Sequence, residues 1–228
     1  MTTIFQEDVS CGLCGCRQVV TEIGSTNSFG AMDLDTRPPE MQRSTMAYWV
    51  HECEECGFVA AEFGKSVATD AKQVATTEYR QALERVDRDR LASRFVCRAL
   101  LEEAAGDLLS AGWRRLHAAW ACDDAQQAEE ARLQRLAALE LFERARAQGQ
   151  RAMKSVDGGA ELLLADIARR AGEFGRAFEF CAIGLALREV PAFVSGLLKF
   201  EQSLVGARDV GRHTVAEADI APSGGTVH

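Results

Sequence analysis

Two copies of the pattern Cys-x-x-Cys-Gly constrain the fold of this chain more than any other feature. They lie at residues 11–15 (CGLCG) and 53–57 (CEECG). Two intervening residues allow both sulfurs of a pair to reach one ion, and the glycine that follows relieves the tight turn that this requires. Two pairs supply four thiolates, a closed tetrahedral shell in which no water molecule can be activated. The sequence therefore predicts one structural metal site, formed by Cys11, Cys14, Cys53 and Cys56.

Zinc is the metal expected for this set of ligands, although thiolates also suit iron and a rubredoxin-like site stays open. The 38 residues between the pairs exceed the usual spacing, but longer loops add little to the entropy cost of closure. Neither pair opens a helix after a strand, as a thioredoxin-like redox pair would. Cys16 and His51 each lie two residues from a predicted ligand. Either could substitute as a ligand, and we expect both to be bystanders.

The predicted location of the protein is the cytoplasm. The N-terminal residues carry acids and lack a basic segment followed by an apolar run, and no stretch approaches the ~20 apolar residues of a membrane span. In a reducing compartment, eight cysteines indicate metal or redox chemistry rather than a disulfide framework.

The charge of the chain argues against binding to nucleic acid. Lys and Arg number 26 and Asp and Glu number 34, a net charge of −8. Residues 1–65 hold four of the basic side chains and ten of the acidic ones. Many zinc ribbons bind DNA or RNA, but such an acidic module repels phosphate groups and anionic membranes.

Composition changes near Gly64, from a segment rich in turn residues to one rich in Ala, Leu, Glu and Arg. We therefore expect a zinc-ribbon-like domain over residues 1–65, with short strands at 18–23, 46–52 and 58–63, and an α-helical domain over 66–206. Residues 207–228 contain Gly and few large apolar side chains, which predicts a disordered tail. The expected fold class is mainly α with a small β metal-binding module.

A weak internal repeat predicts how the helices pair. Residues 105–111 (AGDLLSA) and 171–177 (AGEFGRA) match at an offset of 66, close to twice the ~34-residue period of a tetratricopeptide repeat. In such repeats a small residue makes the turn between two antiparallel helices. The intervening sequence instead predicts one long helix, capped by Asp123 and Asp124 and ending at Gly149. We therefore expect tetratricopeptide-like hairpins rather than a regular array, with Pro191 opening the last helix.

These features together resemble the bacterial family called domain of unknown function 2225. The resemblance rests on both cysteine motifs, on Trp49-Val50 before the second motif, and on residues 111–120 (AGWRRLHAAW) and 162–180 (LLLADIARRAGEFGRAFEF). It covers most of residues 11–190. The chain departs from the family pattern at Gly12, where Pro is usual, at the extra Cys16, and in the linking loop. The resemblance implies a zinc-ribbon-like module followed by tetratricopeptide-like helices, and it implies no reaction.

Other groups of polar residues have simpler explanations. The long loop before the second motif carries five charged residues, which are Asp33, Asp35, Arg37, Glu40 and Arg43. A polar site could form there. An acid-rich loop is usually solvated, however, and we expect these side chains to be solvated. His117, between two tryptophans on one helical face, is expected to pack rather than to catalyse. Three further cysteines are expected in the core; they are Cys97, Cys122 and Cys181. No phosphate-binding, dinucleotide-binding, serine-hydrolase or HExxH motif occurs.

These observations favour a non-enzymatic interaction protein, in which a metal-clamped module is joined to helical hairpins whose concave face binds a protein or peptide partner. Two alternatives stay open. One is a nucleic-acid-binding or transcription-linked zinc ribbon, which the acidic balance disfavours. The other is a thiol-based redox or metal sensor in which Cys16 acts beside the site.

Overall fold

The computed structural model describes residues 1–67, 70–85, 87–153 and 156–218. Within these residues the chain is mainly helical, with two small sheets in its N-terminal part. The strands are β1 (Thr3–Ser10), β2 (Arg17–Ser25), β3 (His51–Glu52) and β4 (Val59–Ala60). The helices are α1 (Asp70–Val74), α2 (Thr77–Glu84), α3 (Arg90–Ala104), α4 (Leu108–Asp124), α5 (Ala128–Ala147), α6 (Gly159–Arg170), α7 (Phe174–Leu185) and α8 (Ala192–Gly206). Short 3₁₀ helices cover Arg43–Tyr48 and Val215–Ala218.

Each cysteine motif forms the loop of an antiparallel hairpin. β1 pairs with β2 so that Ser10 lies opposite Arg17, and β3 pairs with β4 so that Glu52 lies opposite Val59. The strand predicted at 18–23 is confirmed as the centre of β2. The two hairpins therefore present their loops, and with them the two pairs of cysteines, from separate two-stranded sheets.

The other predicted strands are wrong or too long. Residues 46–48 belong to the 3₁₀ helix Arg43–Tyr48, and only His51 and Glu52 are extended, in β3. The Thr45 hydroxyl stabilises the 3₁₀ turn by donating to the Gln42 carbonyl (2.7 Å) and accepting from the Trp49 indole (3.0 Å). Only two residues of 58–63 are extended, in β4. The sequence did not predict β1, whose residues are nearly all exposed and so lack the apolar alternation of a half-buried strand.

Three pairs of consecutive helices are joined by tight turns of one type. Both repeat positions are confirmed as turns: Gly106 (φ 82°) lies between α3 and α4, and Gly172 (φ 81°) lies between α6 and α7. In each, the N–H three residues beyond the last residue of the helix donates to a carbonyl in its last turn, as in a Schellman motif. These hydrogen bonds are Asp107 to Glu102 (2.9 Å) and Glu173 to Ala168 (2.8 Å). The pairs are helical hairpins, and a tetratricopeptide-like arrangement of them stays a prediction.

The prediction that Asp123 and Asp124 cap one long helix is wrong. They end α4, and α5 begins only at Ala128. The turn between them has the same geometry as the two glycine turns, but its left-handed residue is Gln126 (φ 58°). The carboxylates of both aspartates accept instead from arginines, Asp123 from Arg135 and Asp124 from Arg37. The boundary at Pro191 is confirmed, since that residue is the N-cap of α8.

Residues 207–218, assigned above to a disordered tail, return to the body of the protein. The Leu34 N–H donates to the His213 carbonyl (2.9 Å), and the Val215 N–H donates to the Met32 carbonyl (3.0 Å). Arg169 holds the same segment by donating to the carbonyls of Asp209 (2.6 Å) and Gly211 (2.9 Å). Backbone and guanidinium hydrogen bonds therefore order a segment that has little apolar surface. Residues 219–228 of the predicted tail lie outside the described residues.

One hydrophobic core runs through both the N-terminal module and the helices. Tyr79 of α2 is fully buried in it, and its hydroxyl donates to the Gly57 carbonyl (2.9 Å) and accepts from the Val59 N–H (3.1 Å). The second cysteine motif is thus clamped directly by the first long helix of the body. A division into domains at residue 65 stays a prediction.

Candidate metal centre

The two cysteine loops have the same backbone structure. In the first, the Cys11 N–H donates to the Cys16 carbonyl (2.7 Å) and the Gly15 N–H donates to the Cys11 carbonyl (2.9 Å). In the second, Cys53 and Gly57 make the equivalent bonds, to the carbonyls of Phe58 and Cys53 (both 2.8 Å). The two glycines have φ values of 77° and 72°, a left-handed conformation that favours residues without a Cβ atom. The motifs therefore fold as a matched pair.

The four predicted ligands are the four cysteines that the structure brings together. The sulfur atoms of Cys11, Cys14, Cys53 and Cys56 all lie within 4.8 Å of one another. Two of the sulfur–sulfur distances between the loops are Cys11 to Cys56 (3.8 Å) and Cys14 to Cys53 (3.6 Å). A tetrahedron with metal–sulfur bonds of about 2.3 Å has edges of about 3.8 Å. The cluster therefore has the size and donor set of a site for one ion held by four thiolates.

Backbone amides face the sulfurs from inside each loop. The Leu13 N–H lies 3.4 Å from the Cys11 sulfur. The Cys16 N–H lowers the pKa of the Cys14 thiol by hydrogen bonding, whereas burial raises the pKa of the Cys11 and Cys56 thiols. Burial thus favours protonated thiols at two of the positions, and a bound cation is what would keep all four sulfurs deprotonated.

Neighbouring segments fix how the loops approach each other. The Gln18 side chain on β2 donates to the Glu52 carbonyl (2.9 Å) and accepts from the Glu54 N–H (3.2 Å), which joins the first hairpin to the second. The Gly12 N–H donates to the Phe63 carbonyl (3.0 Å). A Cβ atom at position 12 would lie 2.7 Å from the backbone of Lys65, so this close approach requires glycine there.

Cys16 and His51 are not part of the sulfur cluster. The Cys16 thiol is half-buried and donates to the Arg17 carbonyl (3.6 Å). The imidazole of His51 is buried, with its Nε2 atom 3.1 Å from a carboxylate oxygen of Glu22. Both residues are therefore placed as neighbours of the candidate centre, as the sequence predicted.

The second loop is attached to the helices by charge as well as by Tyr79. Glu52, at the end of β3, accepts hydrogen bonds from Arg90 and from Arg94 (3.0 Å), both on α3. Glu52 is almost buried, so it is screened by water much less than a surface carboxylate.

The long loop between the cysteine motifs is not solvated as predicted. Asp33, Asp35 and Arg37 are buried. Asp35 accepts from the Trp120 indole (2.7 Å) and from Arg170 (2.9 Å), while Asp33 accepts from Arg43 (3.1 Å). Each buried charge therefore meets an opposite charge or a donor, which offsets the cost of its burial. Of the five charged residues singled out there, only Glu40 is exposed.

Thr36, within this loop, has φ 68°, a conformation that β-branched residues rarely adopt. Its N–H donates to the Asp33 carbonyl (2.9 Å), and the Asp33 N–H donates to the Arg37 carbonyl (3.0 Å). The buried ion pairs hold the loop in this strained turn. These contacts anchor the loop to the helices.

A second buried ion cluster lies between α6 and α8. Arg169 and Glu201 are both fully buried and hydrogen bonded (2.6 Å), and Arg169 also donates to Asp166. Burial raises the pKa of Glu201 and that of Asp166, while the Arg169 guanidinium lowers both. The sequence did not point to this cluster, because its members are separated by up to 35 positions and form no motif.

His117 is packed among aromatic rings, as the sequence predicted. Its ring centroid lies 4.9 Å from that of Trp120 and 5.3 Å from that of Phe95. Trp49, from the segment before the second cysteine motif, lies 5.1 Å away on another side. Burial lowers the pKa of His117 to about 3, so the imidazole is neutral. The three helical cysteines are buried as expected.

Comparisons with known proteins add no identification. No family model matches the sequence, and neither a curated protein nor a solved structure matches it. The resemblance to domain of unknown function 2225 therefore stays a prediction. Among the described residues, no helix is both long enough and apolar enough to cross a membrane.

Proposed function

We propose that the protein is a non-enzymatic zinc-binding interaction protein in which Cys11, Cys14, Cys53 and Cys56 hold a structural zinc ion. The observation that carries the proposal is the meeting of two matched cysteine loops, with four sulfur atoms within 4.8 Å. Four protein ligands leave no coordination position for a substrate or a water molecule, which favours a structural over a catalytic ion.

Metal analysis of the full chain tests this directly. Protein purified without chelators should contain one zinc ion per chain, and Cys53→Ser should lose it. Cys16→Ser is the matched control, because Cys16 lies next to the site but outside the sulfur cluster. If the analysis instead finds iron, together with visible absorbance, the site is rubredoxin-like and the ion is not zinc. A chain without any metal would refute the proposal.

The partner is proposed to be a protein that docks on the helical hairpins. A groove of about 440 Å³ lies between α5 and α7, lined by side chains of both signs together with Phe180 and Ile183. Ile183, which lines this groove, is 42% exposed, and Phe178, also on α7, is 55% exposed. An interface typically joins such apolar anchors to a charged rim.

The test uses co-purification from the native host. Ile183→Glu should abolish retention of the partner, whereas Phe193→Glu, which alters an exposed apolar side chain on α8, should not. Equal retention by both variants would refute docking at this groove. A salt-sensitive mobility shift with DNA or RNA would favour the nucleic-acid alternative, against which the acidic balance of residues 1–65 argues.

A further inference from the structure

The backbone edge of β1 is open. Its neighbour β2 packs against the rest of the module, with Val20 buried and Gln18 bonded to the backbone beside Glu52. On its other side β1 pairs with no strand in the part of the chain that the structure describes, and seven of its eight residues are exposed. An isolated two-stranded hairpin is marginally stable in water, and an open edge is a template for another strand.

The direction of the free hydrogen-bonding groups follows from the loop. The Cys11 N–H donates across the hairpin to the Cys16 carbonyl. Every second residue before it, Val9, Glu7 and Phe5, therefore directs its backbone N–H and C=O groups toward β2, and the residues between them direct theirs away from β2. Ile4, Gln6 and Asp8 therefore present their N–H and C=O groups to the open edge. Two large apolar side chains sit at the same end of the strand, Ile4 (52% exposed) and Phe5 (50% exposed).

We propose that this edge pairs with β1 of a second copy of the chain, antiparallel, about a two-fold axis through Phe5. The sequence of β1 (TIFQEDVS) favours this register over the registers centred on Gln6 or Glu7. Centred on Phe5, the pairing sets Phe5 against its own copy, Ile4 against Gln6, and Glu7 against Thr3. Centred on Gln6, it sets Glu7 against Phe5 and Asp8 against Ile4. Centred on Glu7, it sets two like charges directly opposite, which is destabilising.

The same register resolves the charge problem of bringing two acidic modules together. Each strand continues into its cysteine loop at Cys11, six residues from the axis. At about 3.4 Å per residue, antiparallel pairing places the two loops about 40 Å apart, at opposite ends of a four-stranded sheet. That distance exceeds the screening length of about 8 Å at physiological ionic strength. The dimer therefore gains backbone hydrogen bonds and an aromatic pair without close contact between like charges.

Sedimentation of the zinc-loaded full chain tests the dimer. We expect a concentration-dependent mass of twice 24.9 kDa. Gln6→Pro removes an N–H that points to the open edge, and proline is tolerated on edge strands, so the hairpin itself should persist. It should raise the dissociation constant at least about tenfold, while Gln6→Ala, which keeps the N–H, should not. Far-UV circular dichroism and one retained zinc ion per chain verify that each variant is folded.

A cross-linking experiment tests the register. Directly opposite residues in a non-hydrogen-bonded antiparallel pair have Cα atoms about 4.5 Å apart, within reach of a disulfide. Under mild oxidation Phe5→Cys should therefore form a covalent dimer, and Gln6→Cys should not. A chain that remains monomeric at all concentrations overturns the proposal. So does a Gln6→Pro variant that dimerises like Gln6→Ala, or a covalent dimer formed through Gln6→Cys instead of Phe5→Cys.

Discussion

Tyr79→Phe is the substitution that best tests how the helices support the metal loop. The Tyr79 hydroxyl is fully buried. It donates to the carbonyl of Gly57, the last residue of the second cysteine motif, and accepts from the N–H of Val59, two residues later. Phenylalanine keeps the ring and its packing but leaves both backbone groups without that partner. An orphaned buried polar group costs about 1–3 kcal/mol, and two such groups are orphaned here, so we expect a loss of about 2–6 kcal/mol in the free energy of unfolding.

Urea unfolding at saturating zinc, followed by far-UV circular dichroism, measures this loss. The chain offers a matched control, since Tyr48 is its only other tyrosine, is half-exposed and makes no described hydrogen bond through its hydroxyl. Tyr48→Phe should change the free energy of unfolding by less than about 0.5 kcal/mol. If Tyr79→Phe is as stable as Tyr48→Phe, the hydroxyl does not clamp the loop and the reasoning fails.

The packing of His117, the buried Arg169 cluster and the metal site can each be tested by one further experiment. The folded-state pKa of His117 is about 3, below its ordinary value of about 6.5, so its contribution to the free energy of unfolding is fully present above pH 6.5 and decreases below it, by at most about 1.4 kcal/mol per pH unit. His117→Phe should therefore make the free energy of unfolding in urea depend less on pH between pH 7 and pH 5. An unchanged pH dependence would contradict the burial of the imidazole. Arg169→Leu leaves Glu201 buried without its counter-charge and should lower the free energy of unfolding by about 3–5 kcal/mol. It should also speed tryptic cleavage at Arg212, in the segment after α8 that Arg169 holds. A cleavage rate equal to that of the unmodified chain would show that Arg169 does not hold this segment. Chelation of the metal should accelerate hydrogen exchange in residues 50–60 far more than in α4 and α5, and uniform acceleration would count against a local structural role.

The candidate site could be predicted from sequence because its information is local. Spacing and the two following glycines determine each cysteine loop, and the long loop between the two motifs does not disturb either one. The turns at Gly106 and Gly172 were predictable for the same reason, since a left-handed residue is encoded by the glycine itself. The equivalent turn at Gln126 was missed because nothing in its own sequence marks a left-handed residue.

The buried loop before the second motif could not be predicted, because its partners are remote in sequence. Asp35 pairs with Arg170, which lies 135 positions away, and with Trp120. A cluster of acidic residues is predicted from sequence to be solvated unless the arginines that pair with it are known. The ordered segment after α8 was missed for a related reason, since backbone carbonyls accept from Arg169 and leave no signature in the side chains of the segment.

The contacts around the second cysteine loop argue that a metal ion bound there would stabilise more than the N-terminal module. Tyr79 of α2 bonds the backbone of the loop, the Glu52 carboxylate before it pairs with Arg90 and Arg94 of α3, and Trp49 packs on His117 of α4. Three consecutive helices therefore contact one short segment, which contains two of the four candidate metal ligands. If the zinc-binding module folded independently of the helices, chelation would leave the helices unaffected. Here, loss of the ion should loosen the packing of α2 on α3 first, while the α4–α5 hairpin, which has no contact with the cysteine loops among the described hydrogen bonds, remains folded.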